Sequence, residues 1–158
     1  MSEQKKMELA KQVYNTLCSA LENREWSFGK DEEKLLVHFG VRGDDLPMNY
    51  ILVVEAERQC IRLLAPMPFK MSEGKRIDGA LATCAASFKM ADGGFDYDLS
   101  DGEIIFRMVA SFRDSVIGEG LIQYMISCAC AMVDKYNDLF LAIDKGLLSI
   151  TDFIAKLS

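Results

Sequence analysis

Gly94-Phe95-Asp96-Tyr97-Asp98-Leu99-Ser100-Asp101-Gly102-Glu103-Ile104-Ile105-Phe106-Arg107-Met108-Val109 sets apolar against charged residues on both sides of a chain reversal. Phe95, Tyr97 and Leu99 alternate with Asp96 and Asp98, the period of two of a strand with one buried and one wet face. Ser100-Asp101-Gly102 then turns the chain, because Asp-Gly supplies the positive φ that a two-residue or bulged hairpin loop requires. From Glu103 a β-rich run resumes and is predicted to reach Arg113. The stretch is a β-hairpin, an element of fold that carries no chemistry.

Upstream of the hairpin, Ala91-Asp92-Gly93-Gly94 closes a predicted helix from about Glu73 to Lys89. Ser72 is its expected N-cap, and Ile77, Ala80, Leu81, Cys84, Ala85 and Phe88 its expected buried face. Ala80, Ala82, Ala85 and Ala86 make that helix slim. Three strand-like runs precede it: Lys34–Val41, Asn49–Glu55 and Gln59–Phe69. Only Arg42-Gly43-Asp44-Asp45 and Ala56-Glu57-Arg58 separate them. Breaks this short imply antiparallel neighbours, since parallel strands need a crossover of about a dozen residues or more. Pro66 and Pro68 confine the end of the third run to an edge or a bulge. Nearer the start, Met7, Ala10, Tyr14, Leu17 and Leu21 fall on one stripe of a helix over residues 3 to 24. Trp26 and Phe28 alternate as a short first strand is expected to, before a turn at Gly29-Lys30-Asp31.

Downstream, Ile122, Met125, Ile126, Ala129, Met132, Val133, Tyr136, Phe140 and Ile143 keep a helical period from Leu121 to about Ile143, making this the main covering helix. Lys145-Gly146 ends it, and Ser149-Ile150-Thr151-Asp152 opens a short last helix with Ile150, Phe153, Ile154 and Leu157 on its apolar face. These elements specify an α+β fold, an antiparallel sheet of meander plus hairpin packed against helices. With 158 residues, half of them hydrophobic, residues 1–158 are read as one domain.

The net charge of −6 argues against a general nucleic-acid binder, which would neutralise phosphates with clustered Lys and Arg. All of it falls after Ala91, where 11 acidic and 5 basic residues leave −6. That half of the chain should repel nucleic acid and anionic membranes, or simply keep the protein soluble. No run approaches the ~20 apolar residues of a membrane span, and the charged N-terminal segment lacks the apolar core of a signal peptide, so a cytoplasmic location is expected. Cys18, Cys60, Cys84, Cys128 and Cys130 are odd in number and set in apolar contexts, as buried reduced thiols are.

Candidate chemistry is sparse. His38 is the only histidine, so any Ser-His or Cys-His catalysis must pass through it, yet Val37 and Phe39 place it in a strand. Cys128 and Cys130 stand at i and i+2 of a helix, pointing away from each other, with no further zinc ligands beside them. Gly74-Lys75-Arg76 lacks the upstream glycine of a phosphate loop, and Gly118-Glu119-Gly120 lacks the strand and third glycine of a dinucleotide fingerprint. Asp96, Asp98, Asp101 and Glu103 could share a cation in principle, but alternate strand positions facing water give the same pattern, and a solvated face is the preferred reading. Met67, Met71, Met90, Met108, Met125 and Met132 either fill core gaps or furnish an adaptable protein-binding surface. The expectation is a protein without catalytic residues, cofactor or stoichiometric zinc or iron.

The order helix, antiparallel meander, helix, hairpin, long helix resembles the type III secretion chaperones, and more particularly the bacterial YbjN-like family, described as sensory transduction regulators. Phe95-Asp96-Tyr97-Asp98, Asp101-Gly102-Glu103-Ile104-Ile105-Phe106-Arg107 and the helix carrying Val133-Asp134-Lys135-Tyr136 carry the resemblance. It implies a non-enzymatic, commonly dimeric module that holds a protein or peptide partner and is chaperone-like or regulatory. The second reading is a small-ligand sensor with a pocket between the sheet and the Leu121–Ile143 helix. Pro66, Met67 and Phe69 at the end of the meander, with Ala82 and Ala86 on a face offset from Ile77 and Leu81, are the expected partner or dimer surface. A homodimer is the simplest assembly, with no nucleic acid or membrane as partner.

Overall fold

The computed structural model describes residues 1–42 and 46–158; of the turn expected at Arg42-Gly43-Asp44-Asp45, the last three residues lie outside them. Helix α1 (Glu3–Glu22) is capped by the Ser2 hydroxyl, which accepts the Lys5 amide at 3.3 Å. Six strands follow in two groups. The first group is β1 (Gly29–Asp31), β2 (Leu36–Arg42), β3 (Pro47–Glu55) and β4 (Cys60–Lys70). After a short 3-10 turn and helix α2 (Arg76–Phe88) come β5 (Gly94–Tyr97) and β6 (Glu103–Ser111), then α3 (Glu119–Asp144) and α4 (Ile150–Lys156). All strands join one antiparallel sheet in the order β1-β2-β3-β4-β6-β5, so the hairpin is appended to the meander through β6.

The expected α+β class, with meander, hairpin and covering helices, is the architecture observed. Alternation decides the two sides of the sheet. Val37, Phe39, Tyr50, Leu52, Val54, Ile61, Leu63, Ala65, Ile104 and Phe106 point inward and are buried. Helices α1, α2 and α3 pack against strands on that side, while among the described residues the opposite face carries no helix. Phe95 sits edge-on to Phe106, Tyr136 and Phe140 at centroid separations of 5.0–5.6 Å, and Phe153 of α4 packs against Tyr136 and Phe140. This aromatic cluster ties the hairpin, the long helix and the last helix into the same core.

Several local readings are corrected. The first strand is Gly29–Asp31 itself, where a turn is expected, and Trp26 packs edge-on to Phe39 instead of beginning it. Leu99 leaves the alternation and is exposed within a loop running from Asp98 to Gly102, because the last ladder pair is Tyr97 with Ile104. Strand β6 stops at Ser111. Ser72 stands at the N-cap position of the short 3-10 helix Glu73–Lys75 that leads into α2, but its side chain makes no capping bond; its amide and hydroxyl both donate to the Asp144 carboxylate at the far end of α3, at 2.7 and 2.8 Å. The proline expectation holds in its bulge form, as the β4–β6 register shifts between Pro66 and Lys70.

The largest correction concerns α2, which is rotated relative to its expected orientation. Gly79, Ala82, Thr83 and Ala86 face inward, while Ile77, Leu81, Cys84 and Phe88 face outward. The inner face is a close approach: a Cβ at Gly79 would stand 2.7 Å from both Met71 Cγ and Tyr97 Oη. The Tyr97 hydroxyl donates to the Arg76 carbonyl at 2.8 Å, which locks the helix against β5. A leucine or phenylalanine has no room at that seam, so steric fit overrides hydrophobicity in choosing the face.

Candidate functional site

The outer face of α2 departs from an ordinary soluble surface. Ile77, Leu81, Cys84 and Phe88 follow one another at four, three and four residues, a single line along the helix. Ile77 is 68 % exposed, Leu81 49 % and Phe88 86 %. Scattered exposed apolar residues are ordinary, but several in register on one helix form a stripe that water solvates poorly.

Of the expected surface residues, Ala82 and Ala86 are fully buried within the chain, packed in the core with β5 and α3, and cannot meet a second subunit. Met67 is buried and Phe69 partly buried against the same core; only Pro66 lies on the helix-free side of the sheet, level with Ile105. The five residues therefore do not come together as one surface. Sequence reasoning missed Ile77, Leu81 and Phe88 as surface residues. The available signal was the second, small-residue face of the same helix.

The other groups are dispersed. His38 lies exposed on β2 across from Gly29, on the edge ladder. Cys84 is exposed, against the expectation of uniformly buried thiols. Burial pushes the thiols of Cys18, Cys60, Cys128 and Cys130 up from their ordinary value, which lowers their thiolate fraction and reactivity. Tyr14 is pushed up to about 12, first by burial and then by the neighbouring Cys18, and burial likewise raises Tyr50 beside Cys130. The four carboxylates of the hairpin do not converge either. Asp96 pairs bidentately with Arg107 at 2.6 and 2.9 Å, Asp101 pairs with Lys70, and Asp98 accepts from Ser100. Among the described residues no three His, Cys, Asp or Glu side chains gather as metal ligands would. Met67, Met71, Met108 and Met125 are buried and fill the core.

Between α3 and the β5–β6 hairpin lies the aromatic cluster. The apolar cavity beside α3 lies instead between α1 and α3, about 370 Å³ in volume, with Leu21, Trp26 and Ile126 on its walls and the Arg24–Gln123 hydrogen bond of 2.8 Å at its side. Among the described residues no helix is long and apolar enough to cross a membrane. No protein-family model matches the chain, and no curated protein matches it.

Proposed function

We propose that the chain is a non-enzymatic protein-binding module, chaperone-like or regulatory, acting in the bacterial cytoplasm and self-associating as a two-fold dimer through the outer face of α2. The observation that carries the reading is the exposed line of Ile77, Leu81 and Phe88. A straight helix stripe is self-complementary when two copies meet across a two-fold axis, and covering each large side chain contributes about 1.5–3 kcal/mol. The element order supports the YbjN-like and type III secretion chaperone resemblance, and with it a module that holds a protein or peptide. Such a protein needs surface, not reactive groups, and the raised thiols and dispersed carboxylates are in keeping with that.

Light scattering at micromolar concentration tests the assembly. About twice the chain mass of 17.7 kDa is expected, falling to the chain mass in Leu81→Glu and in Phe88→Glu with circular dichroism unchanged. A wild-type mass near 17.7 kDa defeats the reading. The second reading, a small-ligand sensor, is favoured by the cavity between α1 and α3, and a small molecule retained in a native intact-mass spectrum would select it.

A further inference from the structure

The helix-free face of the sheet carries a second surface of different chemistry. Along β4 and β6 the outward residues pair across strands as Arg62 with Val109, Leu64 with Arg107 and Pro66 with Ile105. Of these, Arg62, Leu64, Ile105, Arg107 and Val109 floor a shallow basin of about 660 Å³, to which Arg58 and Arg113 add their side chains at one end. Four guanidinium groups thus face two carboxylates. Glu55 serves both Arg58, at 3.8 Å, and Arg62, at 2.7 Å, while Asp96 serves Arg107. Arg113 has no ion pair among the described residues. The basin is locally positive by two charges in a chain whose net charge is −6.

We infer that this basin is a docking site for an extended acidic peptide segment bearing aliphatic side chains, its carboxylates over Arg58, Arg62 and Arg113 and its apolar side chains on Leu64, Ile105 and Val109. All four cations are arginines, whose planar fork donates two parallel hydrogen bonds to a carboxylate. Val109, 49 % exposed, and its neighbours give an aliphatic floor with the two-residue spacing of an extended chain. Nucleic acid is a poorer fit, since the residues lining the basin offer no aromatic ring on which a base would stack. An anionic bilayer is flat and does not enter a concave basin. Beyond Asp96 the face becomes acidic through Asp98 and Glu103, which fixes the polarity of the docked segment with its carboxylates toward the Arg113 end.

The inference rests on the protein-binding reading and names the partner's chemistry. Its test is fluorescence anisotropy with a labelled synthetic peptide of about ten residues, glutamate-rich in one half and leucine-rich in the other. A lysine–leucine peptide, oligodeoxythymidylate and phosphatidylglycerol vesicles are the comparisons. The glutamate–leucine peptide should bind in preference to all three. The Arg58→Glu, Arg113→Glu double variant should weaken it by about tenfold or more, and so should Val109→Glu. Both arginines are exposed, so circular dichroism and light scattering should stay as in the wild type. Equal binding of the lysine–leucine peptide, preference for the oligonucleotide or the vesicles, no binding at all, or an affinity unmoved by the charge reversals would each overturn it. Because the dimer is read separately through Leu81→Glu, failure of the basin and failure of the α2 reading are distinguishable.

Discussion

Gly102 shows how much of this fold hangs on single backbone positions. It has φ of +81°, its carbonyl accepts the Met71 amide at 2.9 Å, and a Cβ added to it would stand 2.2 Å from the Met71 carbonyl oxygen. A side chain is opposed both by the left-handed conformation and by the end of β4. Gly102→Val should therefore lower stability by at least about 1–3 kcal/mol, the usual range for such strain, and an unchanged melting midpoint would contradict the assignment. The loop around it is pH-sensitive. Hydrogen bonds from Ser100 hold the Asp98 carboxyl below its ordinary value, and Lys70 together with the Glu103 amide does the same for Asp101. Both groups have folded pKa values below their unfolded ones, so their support is present above the ordinary carboxylate range and is lost as pH falls through the folded pKa values. Amide resonances of Ser100 and Glu103 followed by NMR should accordingly titrate with midpoints below 3.8, and exchange protection in the loop should fall over the same range.

At the scale of elements, the strands were legible because alternation reports directly which side of a sheet is wet, and the long helix because its apolar period runs unbroken through α3. Helix α2 was legible as a helix but not in its orientation. Periodicity finds apolar lines, and α2 has two: a large one and a small one. Which of them turns inward depends on the distance to Met71 and Tyr97, a tertiary quantity absent from the local pattern. Ser72 illustrates the same limit, since its partner is Asp144 from a distant part of the chain and no spacing rule connects them. The candidate surface was misread for this reason, and the arginine basin was invisible because β4 and β6 are brought together only by the sheet order. The orientation of α2 makes a paired prediction. Ala82→Leu should overpack the seam and cost about 1–3 kcal/mol in denaturant unfolding, whereas Leu81→Gln should leave monomer stability nearly unchanged. The reverse order of effects would restore the orientation expected from hydrophobicity.

At the scale of the molecule, two surfaces of opposite chemistry lie on different elements: an apolar line on α2 and a cationic basin on the far side of the sheet. Their response to salt separates them. Two chains that each carry −6 repel one another at long range, and at about 0.15 M salt the screening length is near 8 Å. If the dimer is held by Ile77, Leu81 and Phe88, raising salt from about 0.05 to 0.5 M removes repulsion and leaves the apolar contact intact, so the dissociation constant measured by sedimentation should stay flat or tighten. If instead the basin of one copy seats the acidic half of another, the contact consists of exposed ion pairs, and the same change in salt should weaken it severalfold. A dimer that loosens with salt and survives Leu81→Glu would move the interface from α2 to the arginines, and would make a second copy, not a separate acidic peptide, the occupant of the sheet.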